Sequence, residues 1–134
     1  MVQHLRIARP VTDLERAAHM YCEGLKLRVL SSFRNHAGFD GVMIGVPGAD
    51  YHFEFTLCRE HPITPMPTPE DLTVFYVESE PAWREACASV EAAGFRSVSA
   101  FNPYWEVRGR SYADFDGYRL VLQQASWERV AHSE

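Results

Sequence analysis

Apolar and polar residues alternate at the start of the chain. Leu5 and Ile7 set against Arg6 and Ala8 give the two-residue period of a half-buried strand over His4 to Ala8. Thr12-Asp13-Leu14-Glu15 then has the form of a helix capping box, with Thr12 or Asp13 as the cap. Leu14, Ala17, Ala18, Tyr21 and Cys22 recur at helical spacing, and Gly24 is placed to stop the helix in a left-handed turn. Three strands follow at Leu25 to Phe33, Val42 to Val46 and Tyr51 to Cys58, the last two joined by a turn at residues 47–50. Within the last of them Phe53, Phe55 and Leu57 share one face, leaving His52, Glu54 and Thr56 on the other.

His61 to Pro69 carries four prolines in nine residues, which excludes a helix and a central strand. A semi-rigid linker is therefore expected over 61–70. Beyond it the pattern repeats. A strand is predicted at Leu72 to Val77, and a helix begins with Pro81 in its first turn. That helix presents Trp83, Ala86, Cys87, Val90 and Ala93 on one face and ends at Gly94. Strands at Phe95 to Ala100, Val107 to Ala113 and Tyr118 to Gln123 complete the half, the last pair joined through Asp114-Phe115-Asp116-Gly117. The segments YCEGLKLRVL and EAAGFRSVSA carry the same punctuation of helix end, glycine and strand. The chain thus reads as an α+β protein of two βαβββ modules, 4–60 and 71–124, within one domain over 1–134. A half of about 60 residues buries too little surface alone, so the two are expected to share a core.

Composition narrows the partners. Hydrophobic residues make up 46% of the 134 and charged residues 23%, a globular balance rather than a disordered one. Net charge is −5, and the 13 Lys and Arg are scattered. Nucleic acid is not expected as a partner, because phosphate binding needs a clustered basic face. No apolar run approaches the roughly 20 residues that cross a bilayer, so no membrane partner is expected. The first residues, Met1 to Leu5, hold no signal-peptide core, and a cytoplasmic location is expected. Cys22, Cys58 and Cys87 form no CxxC pair and read as buried free thiols. No G-x-S-x-G elbow and no phosphate-binding glycine loop occurs.

D-L-E-R-A at 13–17, Y-C-E-G-L at 21–25, H-F-E-F at 52–55 and D-F-D-G-Y at 114–118 stand in the order shown by the vicinal oxygen chelate superfamily. That superfamily includes glyoxalases, bleomycin-resistance proteins and dioxygenases. The resemblance covers residues 4 to 124. R-I-A-R-P, G-F-D-G-V-M and N-P-Y-W are similar to an uncharacterised bacterial branch of it. The resemblance implies a curved mixed sheet around a small-molecule cleft and, commonly, a homodimer. It also implies a divalent metal held by one ligand from each of the first, fourth, fifth and eighth strands.

Counting from the motifs, those four positions fall on Arg6, Glu54, Leu72 and Val121. Arginine has no lone pair to give a metal, and leucine and valine have no donor. Only Glu54 can coordinate. His52 and His4 are the nearest substitutes, so Zn, Ni, Fe or Mn would have Glu54, His52 and His4 to bind. The favoured expectation has no metal. Arg6 and Glu54 instead form an ion pair in its place. The cleft would then bind a small molecule, aromatic or cationic, through Arg6, His52, Glu54, Tyr76, Tyr104 and Trp105. A metal-dependent lyase or dioxygenase and a non-catalytic partner-binding module are the alternatives, and the sequence leaves binding and catalysis both open. Phe33, Asn35, His36, Phe39 and Asp40 are expected in a glycine-containing segment folding over the cleft.

Overall fold

The computed structural model describes residues 1–127, which form two compact units divided between Met66 and Pro67. The first unit runs Leu5–Pro10 (β1), Leu14–Leu25 (α1), Arg28–His36 (β2), Phe39–Gly45 (β3) and Tyr51–Cys58 (β4). The second runs Leu72–Tyr76 (β5), Glu80–Ala92 (α2), Arg96–Val98 (β6), Tyr104–Val107 (α3), Gly109–Ala113 (β7) and Arg119–Gln123 (β8). Apart from the single turn of α3, each unit is the expected βαβββ module. Each carries its own four-stranded mixed sheet, ordered β1-β4-β3-β2 and β5-β8-β7-β6. In both, the first strand lies parallel to the last, and the other pairs are antiparallel. Residues 128–134, the end of the expected domain, lie outside the described residues.

Local chemistry sets the helix ends. Asp13, in extended conformation at φ −152°, caps α1 by accepting the Arg16 N–H at 3.0 Å. Ala17, Met20, Tyr21 and Gly24 form the buried stripe. Gly24 is therefore not the stop. It sits on the packed face inside the helix, and Lys26 takes the left-handed conformation at φ 58° instead. In the second unit Ser79 caps α2, Pro81 lies in its first turn, and the chain turns at Gly94 with φ 107° as expected.

The segment before β3 differs from its expected loop. Asn35, Ala37 and Gly38 have positive φ values of 48°, 53° and 86°, which fold it into a bulged hairpin. Phe33, Asn35 and His36 belong to β2, and Phe39 and Asp40 to β3. Buried Asp40 fastens this hairpin, accepting from the Asn35 N–H at 2.7 Å and from Arg59 Nε at 3.0 Å. Similarly, β7 and β8 resume pairing only at Ala113 and Arg119. The turn between them is organised by Asp114 Oδ1, which accepts from the N–H groups of Asp116 and Tyr118.

The core of the first unit lies between α1 and one sheet face. Ile44, Phe53 and Phe55 are buried there, with the Phe55 ring 4.9 Å from that of Tyr21. In the second unit Val90, Cys87, Phe95, Tyr112, Leu120 and Leu122 are buried. Tyr112 donates its hydroxyl to Glu91 at 2.6 Å, and Trp83 Nε1 donates to the Leu122 carbonyl at 2.8 Å. Burial, followed by the Glu91 hydrogen bond, pushes the Tyr112 phenol well above its ordinary range. No helix among the described residues is long and apolar enough to cross a membrane.

Candidate functional site

Strand parity and register bring four of the expected residues together. Phe53 and Phe55 point into the core, so His52 and Glu54 take the opposite face of β4. β1 lies beside β4 in a register that sets Arg6 against His52 and Ala8 against Glu54. Arg6 Nε donates to His52 Nε2 at 2.9 Å, and Arg6 Nη1 donates to Glu54 Oε2 at 3.4 Å. His4 Nε2 lies 2.7 Å from His52 Nδ1, closing the row. The Glu54 side chain is only 12% exposed and that of Arg6 47%, so the pair joins a nearly buried carboxylate to a half-exposed cation.

This geometry assigns the proton on His52. A guanidinium nitrogen can only donate, so His52 Nε2 must be the acceptor. The neutral ring then carries its hydrogen on Nδ1, which donates to His4 Nε2. Electrostatics agree. Burial first, then the charges of Arg6 and His4, hold the His52 imidazole below its ordinary pKa of 6.5, with Glu54 partly opposing. A base with a lowered folded pKa binds fewer protons folded than unfolded, so stability rises with pH across that window. The contribution is expected to be complete above pH 6.5 and to fade as pH falls through the lowered value. Urea midpoints between pH 7.5 and 5, with a ring-proton NMR titration of His52, check this; a His52 titration at or above 6.5 contradicts it. Asp40 adds a second window at lower pH. Arg59 hydrogen bonding, followed by the Asn35 N–H, holds its carboxyl below 3.8, and its contribution is lost as pH falls through that lowered value.

The donor set does not fit a chelated divalent ion. Both ring nitrogens of His52 are engaged, and Arg6 offers hydrogens where a metal needs lone pairs. Among the described residues no group of three or more His, Cys, Asp or Glu is arranged to hold a metal, the His4–His52–Glu54 set included. The counterpart positions in the second unit, Leu72 and Val121, are apolar, and Val121 is fully buried.

The expected aromatic residues lie in the second unit. Tyr76 is 41% exposed, with its ring 5.8 Å from Trp127. Tyr104 and Trp105 meet edge to face at 4.9 Å on α3, a helical turn rather than the expected break. Cys87 is buried and Cys22 and Cys58 are partly so, all free; burial raises the Cys22 and Cys87 thiols, which suits inert packing. Ser97, Ser99, Glu106, Arg110 and Ser111 belong to no sequence motif, yet they line a cavity of about 420 Å³. Serines scattered over two strands and a loop carry no periodic signal that singles them out.

Residues 5–56 match the family model of the YycE-like N-terminal domain, and residues 70–124 that of the YycE-like C-terminal domain. The uncharacterised protein YycE of Bacillus subtilis (strain 168) is 39% identical over 121 residues, 90% of this chain and 87% of that protein. The crystal structure of YycE from Bacillus subtilis, a protein of unknown function, superposes with a TM-score of 0.88 at 36% identity, covering 96% and 94% of the two chains. FosX, a fosfomycin resistance protein of Listeria monocytogenes solved with Mn(II), gives 0.67 at 14% identity over 91% of each chain. TnmS3, an antibiotic-binding protein from Streptomyces sp. CB03234, gives 0.61 at 22% identity, covering 94% and 96%. These neighbours have the glyoxalase/bleomycin-resistance fold, the vicinal oxygen chelate architecture that the motifs imply.

Proposed function

The chain belongs to the YycE-like family, and on that basis we propose that it is a small-molecule-binding protein whose chelating metal site has been replaced by an Arg6–Glu54 ion pair. One observation carries the reading: Arg6, at the first-strand ligand position, donates to both His52 and Glu54. A guanidinium there supplies positive charge and directed hydrogen bonds without a metal. His52 completes the ligand contacts of the first unit, and Tyr76, Tyr104 and Trp105 are the candidate contacts of the second. The ligand is aromatic or cationic, in keeping with the net charge of −5. Antibiotic binding by TnmS3 is one precedent for binding on this fold. The protein works as a cytoplasmic homodimer.

FosX with Mn(II) keeps a metal-dependent lyase or dioxygenase as the competing reading. Protein purified without chelator separates them. Elemental analysis is expected to find well under one Zn, Ni, Fe or Mn per chain, and added Zn²⁺ or Mn²⁺ is expected to leave the melting temperature unchanged. Aromatic cations from a screening library are expected to raise it. One equivalent of metal per chain would favour the enzyme. A library without hits would favour a partner-binding module. Analytical ultracentrifugation reads the homodimer directly.

A further inference from the structure

The outer edge of the first sheet carries features that the polar row does not use. β2 pairs only with β3, so its far side lies open along nine residues. All of them except Phe33 are exposed, among them Val29 at 55% and Leu30 at 40%. An open edge of this kind presents backbone N–H and C=O groups to any extended chain. Register breaks at Val29/Ser31 and Phe33/His36 leave Ser31 to Phe33 as its regular stretch. Beside it lies a groove of about 170 Å³ between α1 and the sheet, walled by Leu14, Ala18, Val29, Ser32 and Val42. Ser32 pairs with Val42 and Glu54 with Met43, so neighbouring β3 residues mark the groove and the polar row on opposite faces. The groove is therefore separate from the Arg6–Glu54 site.

Size and charge limit the occupant. Drug-sized ligands take about 300–1,000 Å³, whereas this groove has room for one aliphatic side chain. Its walls are mainly apolar, with Arg34 at the rim. Residues 24–39 hold Lys26, Arg28 and Arg34 and no Asp or Glu, a basic stretch in a chain of net charge −5. Among the described residues Lys26 and Arg28 make no ion pair, and Arg34 pairs with Glu15 at 3.8 Å between side chains 70% and 88% exposed. A pair so exposed holds Arg34 only weakly. A second copy of the strand would set these cations against their own images, which is unfavourable. Negative charge is what complements this edge. We propose that β2 docks an acidic peptide segment of another protein in extended conformation, by strand addition at Ser31 to Phe33, with one apolar side chain seated in the groove. Backbone hydrogen bonds supply the affinity, and the groove and the cations supply the specificity. All of these residues belong to the first unit and none to the polar row, so the proposal stands apart from the Arg6–Glu54 reading.

The test titrates ¹⁵N-labelled full-length protein with the synthetic peptide EEVTVEE, blocked at both ends. Two controls accompany it. One is KKVTVKK; the other is EEVTVEE N-methylated at its three central residues, which keeps the charge and removes the backbone donors. The expected result is saturable shifts of the amides of Leu14 to Ala18 and Val29 to Arg34, with both controls at least about tenfold weaker. Arg28→Glu/Arg34→Glu, at exposed positions, should bind EEVTVEE at least about tenfold more weakly at low salt and KKVTVKK more tightly, at a nearly unchanged melting temperature. Ala18→Phe should weaken binding by filling the groove. The proposal is overturned if EEVTVEE shifts none of these amides at millimolar concentration, or if either control binds as tightly. It is equally overturned if the charge-reversed variant keeps the original preference or Ala18→Phe binds unchanged. Shifts of the β2 amides with protein concentration alone would place a second copy on the edge and overturn it too.

Discussion

Replacing Arg6 with methionine is expected to destabilise the first unit by about 1–3 kcal/mol, the penalty for stranding a buried charged acceptor. Glu54 is the group stranded. Its side chain is 12% exposed, and its carboxylate faces the Arg6 guanidinium at 3.4 Å. Exposure of Arg6 at 47% keeps the figure below that of a fully buried pair. Methionine preserves the apolar stem, so packing against the sheet is largely retained. The double variant Arg6→Met/Glu54→Met removes the charge together with its partner and is expected to recover most of the loss. Urea unfolding of the wild type, both single variants and the double variant gives the coupling energy. Strictly additive single effects would remove the ion pair from the account of this site. Loss of Arg6 should also move the His52 titration upward, because that charge is among the causes that hold it down.

Phe55→Ala should cost more, about 3–5 kcal/mol, as expected for emptying a large aromatic position. Phe55 is 1% exposed, and it is held between the sheet and the Tyr21 ring at 4.9 Å. It also neighbours Glu54 in sequence while pointing to the opposite face, so the core contact and the polar row depend on one strand register. The loss should appear as a fall in urea midpoint of more than about 1 M, given slopes of about 1–3 kcal/mol/M for small proteins. Should the alanine variant not fold, Phe55→Leu provides the graded measurement, with a smaller loss of the same sign. A loss under about 1 kcal/mol for the alanine variant would show that the α1–sheet interface is not the core of this unit.

These two residues illustrate how much of the site was legible in the chain. Alternation through H-F-E-F placed Phe53 and Phe55 on one side and His52 and Glu54 on the other, and β4 has the expected ends at Tyr51 and Cys58. The duplicated punctuation gave both modules and their order. Motif spacing placed Arg6 at the metal-ligand position of the first strand, and the ion pair with Glu54 was expected from their opposite charges on strands that the resemblance sets near each other. Legibility failed where backbone conformation departs from residue preference. Asn35, Ala37 and Lys26 adopt left-handed conformations that glycine usually supplies, so the bulged hairpin and the end of α1 could not be placed from composition. The α3 turn was hidden because Pro103 reads as a break, although it can precede a short helix.

Sequence by itself determined the eight strands and two long helices, their faces and the identities of the polar groups, because periodicity and side-chain chemistry are local properties. Tertiary structure alone decided that β1 lies parallel beside β4. This brings Arg6 to residues 46 and 48 positions away and directs its Nε to His52. Among the described residues it also left Ser111 Oγ and Gln123 Oε1 without hydrogen-bond partners. Pairing partners and unsatisfied atoms depend on residues remote in the chain, and no local pattern encodes them.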